Sequence, residues 1–390
     1  MKIGIVKESF PGERRVALTP NLIPTLTKQG HEVFVQTGSG EAAGFPDHQY
    51  SEKGAKIGTR SDAFAADLIV QIRTLGGNPD AGRGDLEHLD HTKIVIGLCD
   101  PLSQPKLAQE TAERGATLFS LELMPRITRA QSMDVLSSMA TVAGYRAVLL
   151  AATALPKLFP MMTTAAGTIT PAKVFVMGAG VAGLQAIASA RRLGAQVSAT
   201  DVRAAVREQV QSLGARFVET PVDATQAEGA GGYAKALDEE SYQKQRDAMA
   251  KVVAESDVVI TTAAVPGRKA PILVTTDMVH LMQPGSVLID LAAERGGNCE
   301  LTKPGDTVVV NGVMIIGPEN LPSDVPYHAS QMFGKNAVTF LQHLVGLGLP
   351  ATIDLADEIT RETLICRDGQ VVHPRVRQLL GLETKPTLTN

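Results

Sequence analysis

The segment VFVMGAGVAGLQAI constrains this chain more than any other. Gly178, Gly180 and Gly183 stand in GxGxxG spacing directly after an apolar, β-branched run, Lys173–Met177. A helical pattern, Val181–Leu193, follows, with Val181, Leu184, Ile187 and Ala188 along one face. Strand, glycine turn and helix in that order start a βαβ unit. The first glycine permits the tight turn, the second lets a pyrophosphate approach the backbone, and the third lets helix and strand pack closely. The helix N-terminus then offers N–H groups and a partial positive charge to phosphates. The next strand, Gln196–Thr200, ends at Asp201, 201 − 183 = 18 residues after the third glycine. A carboxylate there accepts hydrogen bonds from the adenosine ribose and repels a 2′-phosphate, which favours NAD(H) over NADP(H). Val181, Val202 and Arg203 complete the expected cofactor-binding set on this edge, with Arg203 packing near the adenine or facing solvent. The other reading is a glycine turn that binds nothing, with Asp201 as a solvated cap.

The βαβ rhythm extends in both directions. Short apolar or β-branched runs at Lys2–Val6, Glu32–Gln36, Leu68–Ile72, Lys93–Leu98 and Thr117–Leu121 alternate with helix-like segments such as Asn21–Lys28, Ser61–Ala66 and Lys106–Glu113. That alternation implies a mostly parallel sheet covered by helices. A long helix is expected over Ser132–Leu155, and a connector without periodicity over Met161–Pro171. Later strands are Val258–Thr262, Ser286–Asp290, Thr307–Val310 and Met314–Ile316. Between Phe217 and Val252 the rhythm breaks at a glycine-rich loop that becomes a charged helix, Ala227–Gln245. A loop of that length is more often functional or mobile than structural. A last apolar helix, about Gln331–Leu347, needs a partner surface, and the second sheet already has its helices. The expected fold class is therefore α/β: two Rossmann-like domains with parallel sheets and a cleft between them. The first domain is discontinuous, 1–138 plus 328–382; the NAD(H)-binding domain is 139–327; a flexible tail is 383–390.

Composition agrees with a folded enzyme-sized chain. Its 390 residues are enough for two or three domains, and the formal net charge is only −4. With no basic excess to neutralise phosphates, nucleic acid is not an expected partner. Aromatic residues make up 4% and tryptophan is absent, which also argues against a stacking single-strand binder. Cys99, Cys299 and Cys366 are far apart, odd in number and form no CxxC pair, which fits a reducing compartment. The N-terminus lacks the apolar core of a signal peptide. Met139–Phe159 is interrupted by Arg146, Pro156 and Lys157, and Lys335–Asp354 carries Asn336, Gln342, His343 and Pro350. Both read as buried helices of a soluble protein, so no direct membrane insertion is expected.

A second polar cluster precedes the long helix. In MPRITRAQSMDVLSS, Arg126, Gln131, Asp134 and Ser137 frame Ile127 and Thr128, and Gln131, Asp134 and Ser137 are spaced by three. On a helical start they would share a face. An amide with an arginine and an aspartate suits recognition of a carboxamide such as that of nicotinamide. A capping and salt-bridge cluster explains the same residues equally well.

The segments GERRVALTP, PRITRAQSMD, MGAGVAG with DVR, EGAGGYAK and LIDLAAERGGN together resemble the NAD(H)-binding component, soluble domain I of the alpha subunit, of proton-translocating nicotinamide nucleotide transhydrogenase. The resemblance runs from about Met1 to Leu382, and the family is related to alanine dehydrogenase. It implies that Arg126, Gln131, Asp134 and Ser137 face the nicotinamide. It further implies that a mobile loop with Gly232 and Tyr233 closes over the nucleotide, and that Gln245 and Ala264 add contacts. Hydride would pass from NADH to NADP(H) held on a partner subunit, with membrane-spanning subunits coupling the transfer to proton movement. It also implies a homodimer, peripheral on the cytoplasmic face of the inner membrane.

An alanine dehydrogenase needs an arginine, a lysine, a histidine and an aspartate for its small substrate. Arg15 matches the arginine, but Gln71, Cys99 and Glu294 stand at the other three positions by this comparison. An amide cannot anchor a carboxylate as an ammonium does, and a thiol is a poor substitute for imidazole near neutral pH. Direct hydride transfer between nucleotides moves no proton at the reacting carbon, so positioning is its main requirement. Glu87, His88, Asp90 and His91 superficially resemble a metal cluster, but read as a solvated connector; no metal is expected. His328 reads as structural, and Asp238–Glu240 as an acidic helix start.

Overall fold

The computed structural model describes residues 1–219, 239–264, 267 and 269–383, without the side chains of Ala204 and Tyr242. The chain divides into two compact units. One comprises Met1–Met139 and the chain from Pro322 onward; the other is Ala140–Leu321.

The strands of the first unit are β1 (Lys2–Ile5), β2 (Glu32–Gln36), β3 (Lys56–Gly58), β4 (Leu68–Arg73), β5 (Ile94–Leu98) and β6 (Thr117–Ser120). After β7 (Met162–Thr164) and β8 (Gly167–Ile169), the second unit continues with β9 (Lys173–Met177), β10 (Gln196–Thr200), β11 (Arg216–Phe217), β12 (Val258–Thr261), β13 (Val287–Asp290), β14 (Thr307–Val310) and β15 (Val313–Ile316). The first unit closes with β16 (Leu364–Arg367) and β17 (Gln370–Val371).

The first sheet has eight strands in the order β17-β16-β6-β5-β4-β1-β2-β3. β1 to β6 are parallel, and β16 and β17 add antiparallel at one edge. The second sheet has seven strands in the order β11-β10-β9-β12-β13-β15-β14, parallel except for β14. Both sheets share one topology: the chain winds outward from a central strand, β1 or β9, then crosses to the other side through β4 or β12. Loops leaving the central pair therefore diverge, which opens a crevice at the carboxyl ends of the strands.

The second sheet is buried on both faces, as parallel sheets are. Val174 and Val176 of β9 enter one apolar cluster while the alternate residues Phe175 and Met177 enter another. Val258, Ile260, Val287 and Ile289 join the first cluster; Val259 and Leu288 join the second. This strict alternation follows from the twofold period of a strand.

The chain re-enters the first unit through hydrogen bonds to its N-terminal loop. Ser323 Oγ donates to Gly12 O (2.9 Å) and accepts from Arg14 N (2.6 Å), and Ser330 Oγ accepts from Val16 N (3.0 Å). The helix Pro326–Gly346 follows, starting earlier than the apolar pattern alone indicates because Pro326 occupies its first turn, where a missing N–H costs nothing.

Three local expectations change. Met161–Pro171 is not a featureless connector: β7 and β8 form a two-stranded hairpin whose residues are all exposed. The long helix begins at Val135, not Ser132, because Thr128–Met133 winds as 3-10. That helix, Val135–Ala154, has the length and mean hydropathy (1.5) of a membrane span, yet only 39% of it is buried. Its Ala147, Val148 and Ala151 face the second unit's core, so the expectation of a buried helix holds for one face only. Of the expected tail 383–390, all but Glu383 lies outside the described residues.

Candidate functional site: a glycine turn at the second sheet's switch point

The three glycines of the turn meet three different constraints. Gly178 has a φ of +99°, the left-handed region that favours glycine, and a Cβ there would lie 2.6 Å from Thr262 Oγ1. At Gly183 a Cβ would stand 1.9 Å from the Gly178 carbonyl oxygen, so only glycine lets the helix Val181–Arg192 seat against β9. At Gly180, the helix N-cap, φ is −72° and the nearest atom to a Cβ is Arg203 Nη2, 4.0 Å away. The second glycine therefore borders open space at a helix N-terminus. Val181 beside it is 37% exposed. That is the cradle a pyrophosphate requires, and the residues present fit a dinucleotide.

Asp201 is buried at the end of the adjacent strand, β10. Its Oδ2 accepts from Ala179 N (2.8 Å), inside the glycine turn, and from Arg203 Nη2 (2.8 Å). Its Oδ1 accepts from Arg203 N (2.9 Å) and Arg203 Nε (2.9 Å). Arg203 thus neither packs outward nor faces solvent, as expected from sequence, but forks onto the carboxylate two residues before it. Val202 between them is half-buried.

The opposite wall of the crevice is the loop after β12. Thr262 Oγ1 donates to Gly178 O (2.9 Å), tying this loop to the glycine turn. Asn298 clamps the next residue: its Oδ1 accepts from Ala263 N (3.0 Å) and its Nδ2 donates to Ala263 O (2.8 Å) and Pro271 O (2.8 Å). Asn298 is held in turn by Asp290, a fully buried carboxylate at the end of β13. Asp290 accepts from Thr261 Oγ1, Ala292 N, Asn298 N, Cys299 N and Thr302 Oγ1 at 2.7–3.0 Å. Ala264, left by this clamp at the rim, is exposed. The motif LIDLAAERGGN spans both Asp290 and Asn298, yet its residue types alone assign neither a role. An acidic residue ending an otherwise apolar strand is the signal that could have found them.

Gln245 lies on the helix Glu239–Ala254, 4% exposed, and its Oε1 has no hydrogen-bond partner among the described residues. A buried amide oxygen without a donor favours a ligand donor nearby. Gly232 and Tyr233 lie outside the described residues.

In the first unit, the cluster before the long helix resolves into caps and anchors. Asp134 Oδ1 accepts from Ser137 N (2.9 Å) and Oδ2 from Ser137 Oγ (2.6 Å), so this aspartate caps the helix. Gln131 sits on the 3-10 turn, so the common helical face expected for Gln131, Asp134 and Ser137 does not form. Arg126, Thr128 and Gln131 are exposed and Ile127 is half-buried. The turn is fastened from behind. Arg129 Nη1 bonds Asp357 Oδ2 (2.6 Å), His343 Nε2 bonds Asp357 Oδ1 (2.8 Å), and Asn336 Nδ2 donates to Ser132 O (2.8 Å). The Asp357 carboxyl is opposed by burial, yet hydrogen bonds from His343, Thr360 and Arg129 hold it far below the usual carboxylate range.

The dehydrogenase-like positions are differently occupied. Arg15 is buried and forks onto Glu13, with Nε to Oε1 at 2.7 Å and Nη2 to Oε2 at 2.6 Å. Burial pushes the Glu13 carboxyl up, but the bonds and charge of Arg15, with Arg73 behind, bring it down to about 2. Glu8, which no motif singles out, accepts from Ile72 N (2.6 Å) and Arg73 N (3.1 Å) at the end of β4. Burial, with the neighbouring charge of Glu13, pushes it up to about 8. Gln71 is buried and donates to Asp85 (3.0 Å). Cys99 is 1% exposed, and burial, then the charge of Glu122, push its thiol well up, so it offers no acid–base group near neutral pH. Glu294, in the second unit, is exposed and accepts from Asn320 N (2.7 Å). Among the described residues, no group of three or more His, Cys, Asp and Glu side chains is placed to hold a metal.

Comparison with known proteins agrees with this geometry. Residues 4–143 match the alanine dehydrogenase/PNT N-terminal domain and residues 147–374 the alanine dehydrogenase/PNT C-terminal domain. The chain is 45% identical to the first part of the NAD(P) transhydrogenase alpha subunit of Rhodospirillum rubrum, over 96% of this chain and 98% of that protein. A crystal structure of transhydrogenase from Sinorhizobium meliloti superposes with a TM-score of 0.83 at 43% identity, over 96% of this chain and 99% of that one. An L-alanine dehydrogenase structure superposes with a TM-score of 0.80 at 26% identity, over 98% of this chain and 99% of that one. Two domain matches in order and near-complete coverage leave one assignment: the chain belongs to the alanine dehydrogenase/PNT family.

Proposed function

We propose that this chain is the NAD(H)-binding component of a proton-translocating NAD(P) transhydrogenase, positioning NADH for direct hydride transfer to NADP⁺ on a separate subunit. The observation that carries this reading is the near full-length similarity to the soluble-sized first piece of a transhydrogenase alpha subunit. A complete dinucleotide cradle, beside dehydrogenase positions that hold an amide and a buried thiol, supports it.

NADH, when bound, supplies the hydride. Gly180 and the N-terminus of the helix Val181–Arg192 receive the pyrophosphate, with Gly178 and Gly183 holding the turn. Asp201 takes the ribose hydroxyls, flanked by Val202 and Arg203; Gln245 and Ala264 complete the second unit's contribution. From the first unit, Arg126, Gln131, Asp134 and Ser137, with Ile127 and Thr128, orient the nicotinamide carboxamide, and Gly232 and Tyr233 close over the nucleotide to exclude water. Because the transfer moves no proton at carbon, orientation is the main requirement.

NADP(H) belongs to the partner subunit, and membrane-spanning partners couple transfer to proton movement, so the chain works peripherally on the cytoplasmic face of the inner membrane. The homodimer reading draws support from the β7–β8 hairpin. An isolated two-stranded hairpin is marginal in water, and this one exposes Met161 (64%), Met162 (44%) and Ile169 (46%). The test is reconstitution. The purified chain should oxidise alanine with NAD⁺ at background rate and exchange hydride only once an NADP-binding transhydrogenase component is added. Robust alanine oxidation by the chain alone would reject the proposal in favour of an amino-acid dehydrogenase.

A further inference from the structure

The hydrogen bonds at Asp201 bear on which dinucleotide the site accepts. A carboxylate offers about four lone-pair sites. Here all four are taken: by Ala179 N, Arg203 N, Arg203 Nε and Arg203 Nη2. Two of these donors are backbone and fixed in place; the other two are on one guanidinium. Asp201 can therefore accept from a ribose diol only as the Arg203 guanidinium lets go. The pair is largely enclosed, with side-chain exposures of 15% for Arg203 and 5% for Asp201, so it is poorly screened by solvent. The guanidinium also stands beside the open face of the turn, with Nη2 4.0 Å from a Cβ built on Gly180.

Resting on the NAD(H) reading above, we propose that Arg203 is a 2′-phosphate receptor held shut by Asp201. Selectivity for the unphosphorylated dinucleotide is then set by the Asp201–Arg203 pair and not by carboxylate repulsion alone. A ribose diol brings donors that replace the two guanidinium bonds on Asp201, so exchange is balanced. A 2′-phosphate brings only acceptors and negative charge, so it cannot satisfy Asp201 and cannot reach an arginine that Asp201 retains. Deleting the carboxylate removes the repulsion and also frees a fork whose geometry suits a phosphate.

The test uses the full chain, titrated with NADH and with NADPH and read by nucleotide fluorescence; the absence of tryptophan keeps the background low. Wild type should bind NADH and scarcely bind NADPH. Asp201→Ser should lose NADH affinity and gain NADPH affinity about tenfold or more, the scale of one charge-assisted hydrogen bond. Asp201→Ser with Arg203→Ala should lose that gain. Equal NADPH affinity in the single and double variants would overturn the proposal in favour of simple charge relief, as would a folded Asp201→Ser with no gain. Should Asp201→Ser fail to fold by circular dichroism, Asp201→Asn keeps an acceptor for Ala179 N and is judged by the same two criteria, again with and without Arg203→Ala. A folded wild type that binds neither nucleotide would sink the dinucleotide reading itself, and this inference with it.

Discussion

The two sheets repeat one strand order, yet their switch points are built in opposite ways. In the second unit, β9 leads at once into a glycine turn, and the space over Gly180 is open. In the first unit, β1 leads into a long loop, and the Glu8 carboxylate reaches across to the N–H groups of Ile72 and Arg73 at the end of β4. One crevice presents backbone donors to an incoming anion; the other has an internal anion already bonded to its backbone donors. Parallel topology thus supplies the crevice, and a few loop residues decide whether it receives a ligand.

The strongest way to break this comparison lies among the glycines. Gly183→Ala drives a methyl group against the Gly178 carbonyl, which cannot give way, so both melting temperature and NADH affinity should fall, the latter ~100-fold, as close helix–strand packing is lost. Gly180→Ala meets no clash and needs no unusual φ, so its melting temperature should match wild type while NADH affinity falls ~10-fold or more, since the methyl group occupies the pyrophosphate's approach. Thermal melts beside NADH titrations check both; unchanged binding in Gly180→Ala would show that the open face is not the nucleotide's.

A smaller effect sharpens the other side. Glu8 sits at about 8 in the fold against an ordinary carboxylate value of 4.5. Its folded state therefore binds the proton more tightly than the unfolded chain, and the linked stability is complete below 4.5 and lost as pH rises through about 8. Glu13 runs in the opposite sense: its contribution is complete above 4.5 and fades as pH falls toward about 2. Urea midpoints of the wild type should drop between about pH 6 and about pH 9, and Glu8→Gln should flatten that slope. An unchanged slope would remove Glu8 as its cause.

The mildest effect is expected behind the first unit's polar turn. Asp357→Asn weakens the anchor of Arg129 and should cost ~1 kcal/mol or less in stability, because Arg129 is half-exposed. Hydride transfer in the reconstituted system should fall while NADH affinity in the isolated chain holds. A parallel loss of both would mark Asp357 as structural only.

How far each feature is legible in the sequence follows from the distance over which it is determined. β9, the glycine turn and Asp201 are readable because one stretch of some thirty residues carries strand, turn, helix and acid in order. β3, β11 and β17 escape because two or three residues carry no period. The β7–β8 hairpin escapes because its exposed faces impose no apolar alternation. Glu8 in KESF looks like any solvated glutamate; its burial depends on β4, which brings donors from 64 and 65 residues away. Asp290 is likewise defined by partners across the loop that follows β13. Arg203 stands out beside Asp201, but the rotamer that returns it to that carboxylate is a property of the folded turn. In the polar cluster before the long helix, residue types are evident, while the 3-10 winding that separates Gln131 from Asp134 is not.

The antiparallel pairing of β16 with β6 carries a consequence for how this protein matures. Phe119 pairs with Leu364 and Leu118 with Cys366, so the partner of the β6 edge is encoded beyond the entire second unit. On a translating ribosome, Ala140–Leu321 is complete while β6 still presents unpaired N–H and C=O groups. The usual order, in which the N-terminal domain matures first, is inverted here. The N-terminal sheet is the last to be sealed, and the interval before residues 364–367 emerge is when a chaperone has most to protect.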